Sequence, residues 1–103
     1  MTTWMEVPAA AKMKDGDIVG ANIGKTYFAL YRVDGEYYAT DNFCTHAEAM
    51  LSDGALDGCM VECPLHAGRF DVRTGKAQGD PVDEDLKTYP VRREGDRVLI
   101  GLG

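Results

Sequence analysis

The stretch CTHAEAMLSDGALDGCMVECPLH, residues 44–66, decides the fold of this chain. It opens with a C-x-H motif at Cys44 and His46 and closes with a C-x-x-H motif at Cys63 and His66. Each motif supplies one thiolate and one imidazole, and both groups bind transition metals in proteins. Two loops brought together would therefore present two sulfur and two nitrogen ligands to one metal centre.

The order of these ligands favours an iron–sulfur cluster over zinc. A zinc finger typically takes both cysteines from one hairpin and both histidines from the following helix, whereas each motif here holds one cysteine and one histidine. In a two-iron cluster, each loop can send its cysteine to one iron and its histidine to the other. The motifs predict one [2Fe–2S] cluster held by Cys44, His46, Cys63 and His66. A structural zinc site is the alternative.

The residues after the second motif extend this pattern, with GRFD at 68–71, TG at 74–75 and LKTYPV at 86–91. Together with the two motifs, they resemble the Rieske ferredoxins of bacterial aromatic-ring-hydroxylating dioxygenase systems, the naphthalene and biphenyl types in particular. The resemblance covers nearly the whole chain. It implies the all-β Rieske iron–sulfur fold, in which an antiparallel β-sandwich base carries a small inserted cluster-binding subdomain.

The same resemblance implies a soluble one-electron carrier rather than an enzyme. Its partners would be a flavin-containing, NADH-dependent ferredoxin reductase and a terminal Rieske non-haem iron oxygenase, and the free protein would be a monomer. Such an oxygenase needs a further site of two histidines and one carboxylate, but His46 and His66 are the only histidines and both are assigned to the cluster. The alternatives are a Rieske subunit of a permanent redox enzyme complex and a zinc-stabilised interaction module.

Four positions predict a reduction potential at the negative end of the Rieske range. Rieske proteins of respiratory cytochrome complexes join their ligand loops by a disulfide, and a serine and a tyrosine donate hydrogen bonds to the cluster region. By resemblance, the corresponding residues here are Ala49 and Leu65 for the disulfide, Gly68 for the serine and Phe70 for the tyrosine. Because these changes remove stabilisation of the reduced cluster or of its loops, we expect a midpoint well below zero at neutral pH, toward the end of the Rieske range at about −150 mV.

Acidic residues lie in the same stretch as the predicted ligands. We expect the histidine-ligated iron to be the one nearest solvent, and some of these carboxylates to steer a basic partner surface toward it. The alternative is that they are only solvated charges. The residues concerned are Glu48, Asp53, Asp57 and Glu62.

Length, cysteine content and charge set further bounds. A chain of 103 residues is expected to form one Rieske domain, 1–103, with the cluster-binding subdomain at about 41–80. Cys59 is unassigned and is predicted to be a packed side chain without a redox role.

The net charge of −6 argues against nucleic acid as a partner. No stretch approaches the roughly twenty apolar residues of a membrane span, and we expect a cytoplasmic protein.

Hydrophobic alternation and turn residues predict an all-β chain without a sustained helical period. Tight hairpins are predicted at Asp34-Gly35 and at Asp57-Gly58, and 81–85 is predicted to be an acidic surface loop. The predicted strands cover 4–7, 18–23, 27–33, 36–40, 54–56, 60–62, 70–72, 86–92 and 98–100.

Overall fold

The computed structural model of the chain describes residues 2–45, 49–65, 68–79 and 84–102. Nearly all of its regular structure is antiparallel β-sheet, which confirms the all-β prediction. The strands are β1 Thr3–Glu6, β2 Ile18–Ile23, β3 Thr26–Val33, β4 Glu36–Asp41, β5 Ala55–Asp57, β6 Met60–Glu62, β7 Arg69–Asp71, β8 Thr88–Tyr89, β9 Val91–Glu94 and β10 Arg97–Leu102. Two short 3-10 helices, which were not predicted, cover Pro8–Lys12 and Leu51–Asp53.

The strands form three sheets in the described part of the chain. Strands β2, β3, β4 and β8 form a four-stranded sheet in that order, and β1, β10 and β9 form a three-stranded sheet. Strands β5, β6 and β7 form a third, smaller sheet. The β3–β4 hairpin turns at Asp34 and Gly35, whose φ angles of 51° and 80° are those that a tight hairpin requires of its two central residues.

Strand β3 is buried on both faces and joins two hydrophobic cores. Because side chains alternate along a strand, Phe28 and Leu30 point to one side, and Ala29 and Tyr31 point to the other. The first core lies between the two larger sheets, where side chains of β3 and β10 share one buried cluster, and makes them a β-sandwich. The second core packs β3 against the third sheet. The buried members of this second core are Ala29, Tyr31, Cys44, Leu51, Val61, Cys63, Phe70, Val72 and Leu86.

The prediction of one strand over 86–92 is wrong, because Pro90 divides it. Proline has no N–H for a sheet ladder and tends to end a strand. Strand β8, before Pro90, pairs with β4, whereas β9, after it, pairs with β10 in the other sheet. The chain thus crosses from one layer of the sandwich to the other at this residue. Leu86 lies outside both strands and is buried in the second core.

Two smaller expectations differ in detail or lie partly outside the described residues. The β5–β6 hairpin forms as predicted, but Asp57 pairs with Met60, so its turn residues are Gly58 and Cys59. The predicted acidic loop at 81–85 is described only at its end, where the residues are exposed. Among the described residues, no helix has the length and apolar character needed to cross a membrane.

Candidate metal centre

The first predicted ligand loop is closed at its base by backbone pairing. Phe43 and Met50 form an isolated antiparallel bridge, and the N–H of Cys44 donates a hydrogen bond of 2.9 Å to the carbonyl oxygen of Ala49. Cys44 is 6% exposed and belongs to the second core. His46 lies outside the described residues. The chain therefore leaves the sandwich and returns to it at fixed points on either side of this predicted ligand.

The second predicted ligand loop continues directly from the third sheet. Strands β6 and β7 pair up to the loop, and the N–H of Cys63 then donates a 2.7 Å hydrogen bond to the carbonyl oxygen of Gly68. Cys63 is 2% exposed, and its sulfur accepts a hydrogen bond from the backbone N–H of Leu65. His66 lies outside the described residues. A hydrogen bond of this kind stabilises a thiolate that binds a metal.

The fold brings the two cysteines of the motifs together. Their thiols lie within hydrogen-bonding reach of each other, and none of the three cysteines of the chain is in a disulfide. Burial raises the pKa of the Cys63 thiol; the N–H of Leu65 opposes this effect, and the neighbouring Cys44 adds to it. A metal cation offsets the cost of burying two adjacent thiolates, because coordination deprotonates a thiol outright. This donor pair fits an iron–sulfur cluster.

Close backbone packing fixes the second 3-10 helix against the strand that precedes Cys63. Gly54 follows this helix directly, and a Cβ at Gly54 would overlap the carbonyl oxygen of Glu62. A shallow groove of about 350 Å³ lies beside this contact. Its lining residues are Asp53, Gly54, Ala55, Glu62, Cys63 and Pro64.

The other residues singled out in the sequence have distinct environments. Cys59 is partly buried and packs against the second core, which confirms the packing predicted for it. Phe70 is fully buried in that core with both cysteines, and Ala49 packs against it. Gly68 is buried, whereas Leu65 is 45% exposed at the surface. Among the predicted acidic residues, Asp57 forms a 3.1 Å ion pair with Arg69, and Glu48 lies outside the described residues.

A buried carboxylate at the end of β7, Asp71, was not predicted. Arg73 donates two side-chain hydrogen bonds to Asp71, at 3.1 and 2.9 Å, one to each carboxylate oxygen. These hydrogen bonds hold the pKa of the Asp71 carboxyl below its usual range, and burial partly opposes them. The N–H of Gly75 also donates a 2.7 Å hydrogen bond to the carbonyl oxygen of Asp71. The pair thus supports the turn between the GRFD and TG segments. The alternation of charges in DVR, at 71–73, is the sequence signal for it.

Comparison with known proteins identifies the family. Residues 3–90 match the Rieske [2Fe-2S] domain. The chain is 52% identical over 99 residues to the ferredoxin component of the naphthalene 1,2-dioxygenase system of Pseudomonas aeruginosa, which covers 96% of this chain and 95% of that protein.

Two solved structures are similar over nearly the whole chain. The Sphingomonas yanoikuyae B1 ferredoxin has a TM-score of 0.86 at 46% identity, covering 91% of this chain and 93% of that one. A chain in the complex of reduced oxygenase and oxidized ferredoxin in carbazole 1,9a-dioxygenase has a TM-score of 0.89 at 40% identity, covering 94% and 91%. These findings agree with the paired cysteine loops on a β-sandwich. The chain therefore belongs to the Rieske [2Fe–2S] family, as an electron-carrying ferredoxin similar to the ferredoxin components of aromatic-ring dioxygenase systems.

Proposed function

We propose that Cys44 and Cys63 bind one iron of the cluster and that His46 and His66 bind the other. The observation that carries this assignment is the contact between two buried thiols, each from one of the two motifs. Both thiols lie in one core, and the sulfur of Cys63 already accepts a backbone hydrogen bond. The histidines follow their cysteines within the same short loops, so each loop would supply both of its ligands over a short span.

The ligand set suits a carrier that accepts one electron at a time. Four thiolates would make an oxidised two-iron core anionic, whereas two thiolates and two neutral imidazoles leave it neutral and easier to reduce. Rieske centres accordingly have potentials of roughly −150 to +300 mV, compared with about −400 mV for plant-type ferredoxins. The residues of this chain bury the thiols, donate the Leu65 N–H to sulfur and close both loops at their bases.

We further propose that the electron comes from a flavin-containing, NADH-dependent reductase and goes to a terminal Rieske non-haem iron oxygenase. The relatives support the oxygenase end of this route, because they are ferredoxin components of dioxygenase systems and one similar chain is part of an oxygenase–ferredoxin complex. In this proposal the chain is a cytoplasmic monomer when free. It forms one domain in which residues 41–80 act as the cluster-binding subdomain.

Spectroscopy followed by anaerobic electron transfer tests this function. The purified protein should show the red-brown visible absorption of an iron–sulfur centre. It should be reduced by NADH only in the presence of a flavin reductase, and it should then be reoxidised by a dioxygenase-type oxygenase. The Cys59→Ser variant is the matched control and should behave as the parent does. A colourless protein containing zinc would contradict the proposal, and co-elution with a large enzyme in native extract would favour a permanent subunit.

A further inference from the structure

We propose that Asn42 is a positioning residue for the cluster, because its buried amide clamps the base of the first ligand loop and so fixes the sulfur of Cys44. The inference rests on the proposed role of Cys44 as an iron ligand. Asn42 lies just before the C-x-H motif and is 3% exposed. A buried amide must place its polar atoms on partners, so the identity of those partners shows what the residue holds in place.

The backbone of Asn42 joins two parts of the fold. Its N–H donates a 2.9 Å hydrogen bond to the carbonyl oxygen of Tyr27, in β3. Its own carbonyl oxygen accepts a 2.7 Å hydrogen bond from the N–H of Leu51, the first residue of the second 3-10 helix. The point where the first ligand loop leaves the sandwich is thus joined to the point where the chain returns.

The side chain of Asn42 makes a second connection between the two ends of the first ligand loop, through Ser52. Its Oδ1 accepts a 2.8 Å hydrogen bond from the N–H of Ser52, and its Nδ2 donates a 3.0 Å hydrogen bond to the Oγ of the same serine. The amide group uses both its acceptor and its donor on one residue beyond the loop. No apolar side chain can make either bond, and a carboxylate would place a charge in a buried site.

Strand β2 closes over this clamp. A Cβ added at Gly20 would lie 3.0 Å from the Oγ of Ser52 and 3.1 Å from the Nδ2 of Asn42. Those separations are shorter than ordinary van der Waals contact, so the strand packs directly on the two hydrogen-bonded groups. The amide is held in one position by packing and by hydrogen bonds at the same time.

The position of the clamp explains what it would do for electron transfer. The second ligand loop is a continuation of the paired strands β6 and β7. The first ligand loop connects β4 to the second 3-10 helix, and the isolated β-bridge between Phe43 and Met50 closes its base. The first loop therefore depends more on contacts at its base. A fixed sulfur position keeps the geometry and hydrogen bonding of the iron site the same in both oxidation states, and these set the potential of the cluster.

The test compares holo variants of the clamp with a variant of the first core. Asn42→Leu removes both side-chain hydrogen bonds and keeps the branching at Cγ, and Ser52→Ala removes only the bond to Oγ. Val98→Ala truncates a buried side chain between the two larger sheets and controls for general loss of stability. Each protein is assayed for the rate at which an iron chelator bleaches the cluster, for the EPR g-values of the reduced form and for urea unfolding.

We expect Asn42→Leu to lose its cluster about tenfold faster than the parent, equal to about 1.4 kcal/mol of local opening, and to show shifted g-values. Ser52→Ala should change both properties in the same direction by less. Val98→Ala should leave the g-values unchanged. Parent-like bleaching and g-values in Asn42→Leu would overturn the proposal. The proposal would also be overturned if, at equal unfolding free energy, Asn42→Leu changed the bleaching rate and the g-values no more than Val98→Ala does.

Failure of a variant to fold and failure of the ligand assignment each have a separate interpretation. If Asn42→Leu does not fold, the result for Ser52→Ala alone decides, and parent-like behaviour in that variant overturns the clamp. The ligand assignment is tested separately by Cys44→Ser. A cluster with the parent's EPR spectrum in Cys44→Ser would refute the ligand role, whereas a lost or spectrally changed cluster there and parent-like clamp variants would refute only the inference about Asn42.

Discussion

The hydroxyl of Tyr31 donates a 2.8 Å hydrogen bond to the Oγ1 of Thr40 inside the core that also contains Cys44 and Cys63. The direction follows from the next bond, because the Thr40 hydroxyl donates its own proton to the carbonyl oxygen of Asp41 at 2.8 Å. Tyr31 and Thr40 are both fully buried. Two neighbouring strands are thus joined by a short polar relay on the face of the sheet that supports the metal centre.

This relay predicts that Thr40→Val destabilises the fold more than Tyr31→Phe. Thr40→Val leaves the buried Tyr31 hydroxyl without its acceptor, which costs about 1–3 kcal/mol, whereas Tyr31→Phe removes one hydrogen bond worth about 1 kcal/mol. Urea unfolding of the two variants and the parent measures the difference. Equal losses, or a larger loss in Tyr31→Phe, would refute the direction assigned to the relay.

Tyr31 also predicts a loss of stability at alkaline pH. Burial raises its pKa above the ordinary value of 10.0, and the hydrogen bond to Thr40 opposes burial only in part. A tyrosine whose pKa is higher in the folded state stabilises the fold fully below about pH 10 and loses that contribution as the pH rises further. Unfolding free energies between pH 9 and 11 should fall less steeply in Tyr31→Phe than in the parent. Tyr89, whose pKa burial also raises, should account for part of the slope that remains. Parallel slopes in the two proteins would contradict this account.

The environment of the cysteines predicts a low midpoint potential that hydroxyl groups can raise. Phe70 is fully buried beside both cysteines, and Gly68 accepts the hydrogen bond from the Cys63 N–H. We expect a midpoint well below zero in the parent, toward the end of the Rieske range at about −150 mV, and a more positive value in Phe70→Tyr and in Gly68→Ser because a hydroxyl stabilises added negative charge. Protein-film voltammetry at neutral pH measures all three. A clearly positive midpoint in the parent would show that the low-potential assignment is wrong.

Electrostatic steering by acidic residues near the centre predicts a salt-dependent rate of electron transfer. Asp57 is paired with Arg69, whereas Asp53 and Glu62 both line the groove that contains Cys63, so these two are the candidates among the described residues and Glu62 is the one directly before the ligand. Exposed charges are screened over about 10 Å at 0.1 M salt. The second-order rate with the reductase should fall as salt is added, and Glu62→Gln should weaken this dependence. The control is Glu36→Gln, on the first residue of β4 beside the β3–β4 turn. If the rate does not depend on salt in any variant, these charges do not steer docking, and docking depends on apolar contacts.

Local signals in the sequence predicted the parts of the fold that depend on few residues. The β3–β4 hairpin follows from Asp34-Gly35, and the paired cysteine loops follow from the two ligand motifs. The division of 86–92 at Pro90 was missed because residues typical of strands, Thr88, Tyr89 and Val91, flank the proline on both sides. The clamp at Asn42 could not be predicted, because it requires the contact with Ser52, and nothing in the local sequence indicates that this asparagine is buried.

The most direct test of the central claim is the iron and acid-labile sulfide content of five single variants, measured beside the parent. Cys44→Ser, His46→Ala, Cys63→Ser and His66→Ala should each lose the cluster or change its EPR spectrum severely, because each removes one ligand. Cys59→Ser should retain the iron, the sulfide and the spectrum of the parent, because Cys59 only packs against the core. A cluster lost in Cys59→Ser, together with a parent-like cluster in any of the other four variants, would contradict the assignment.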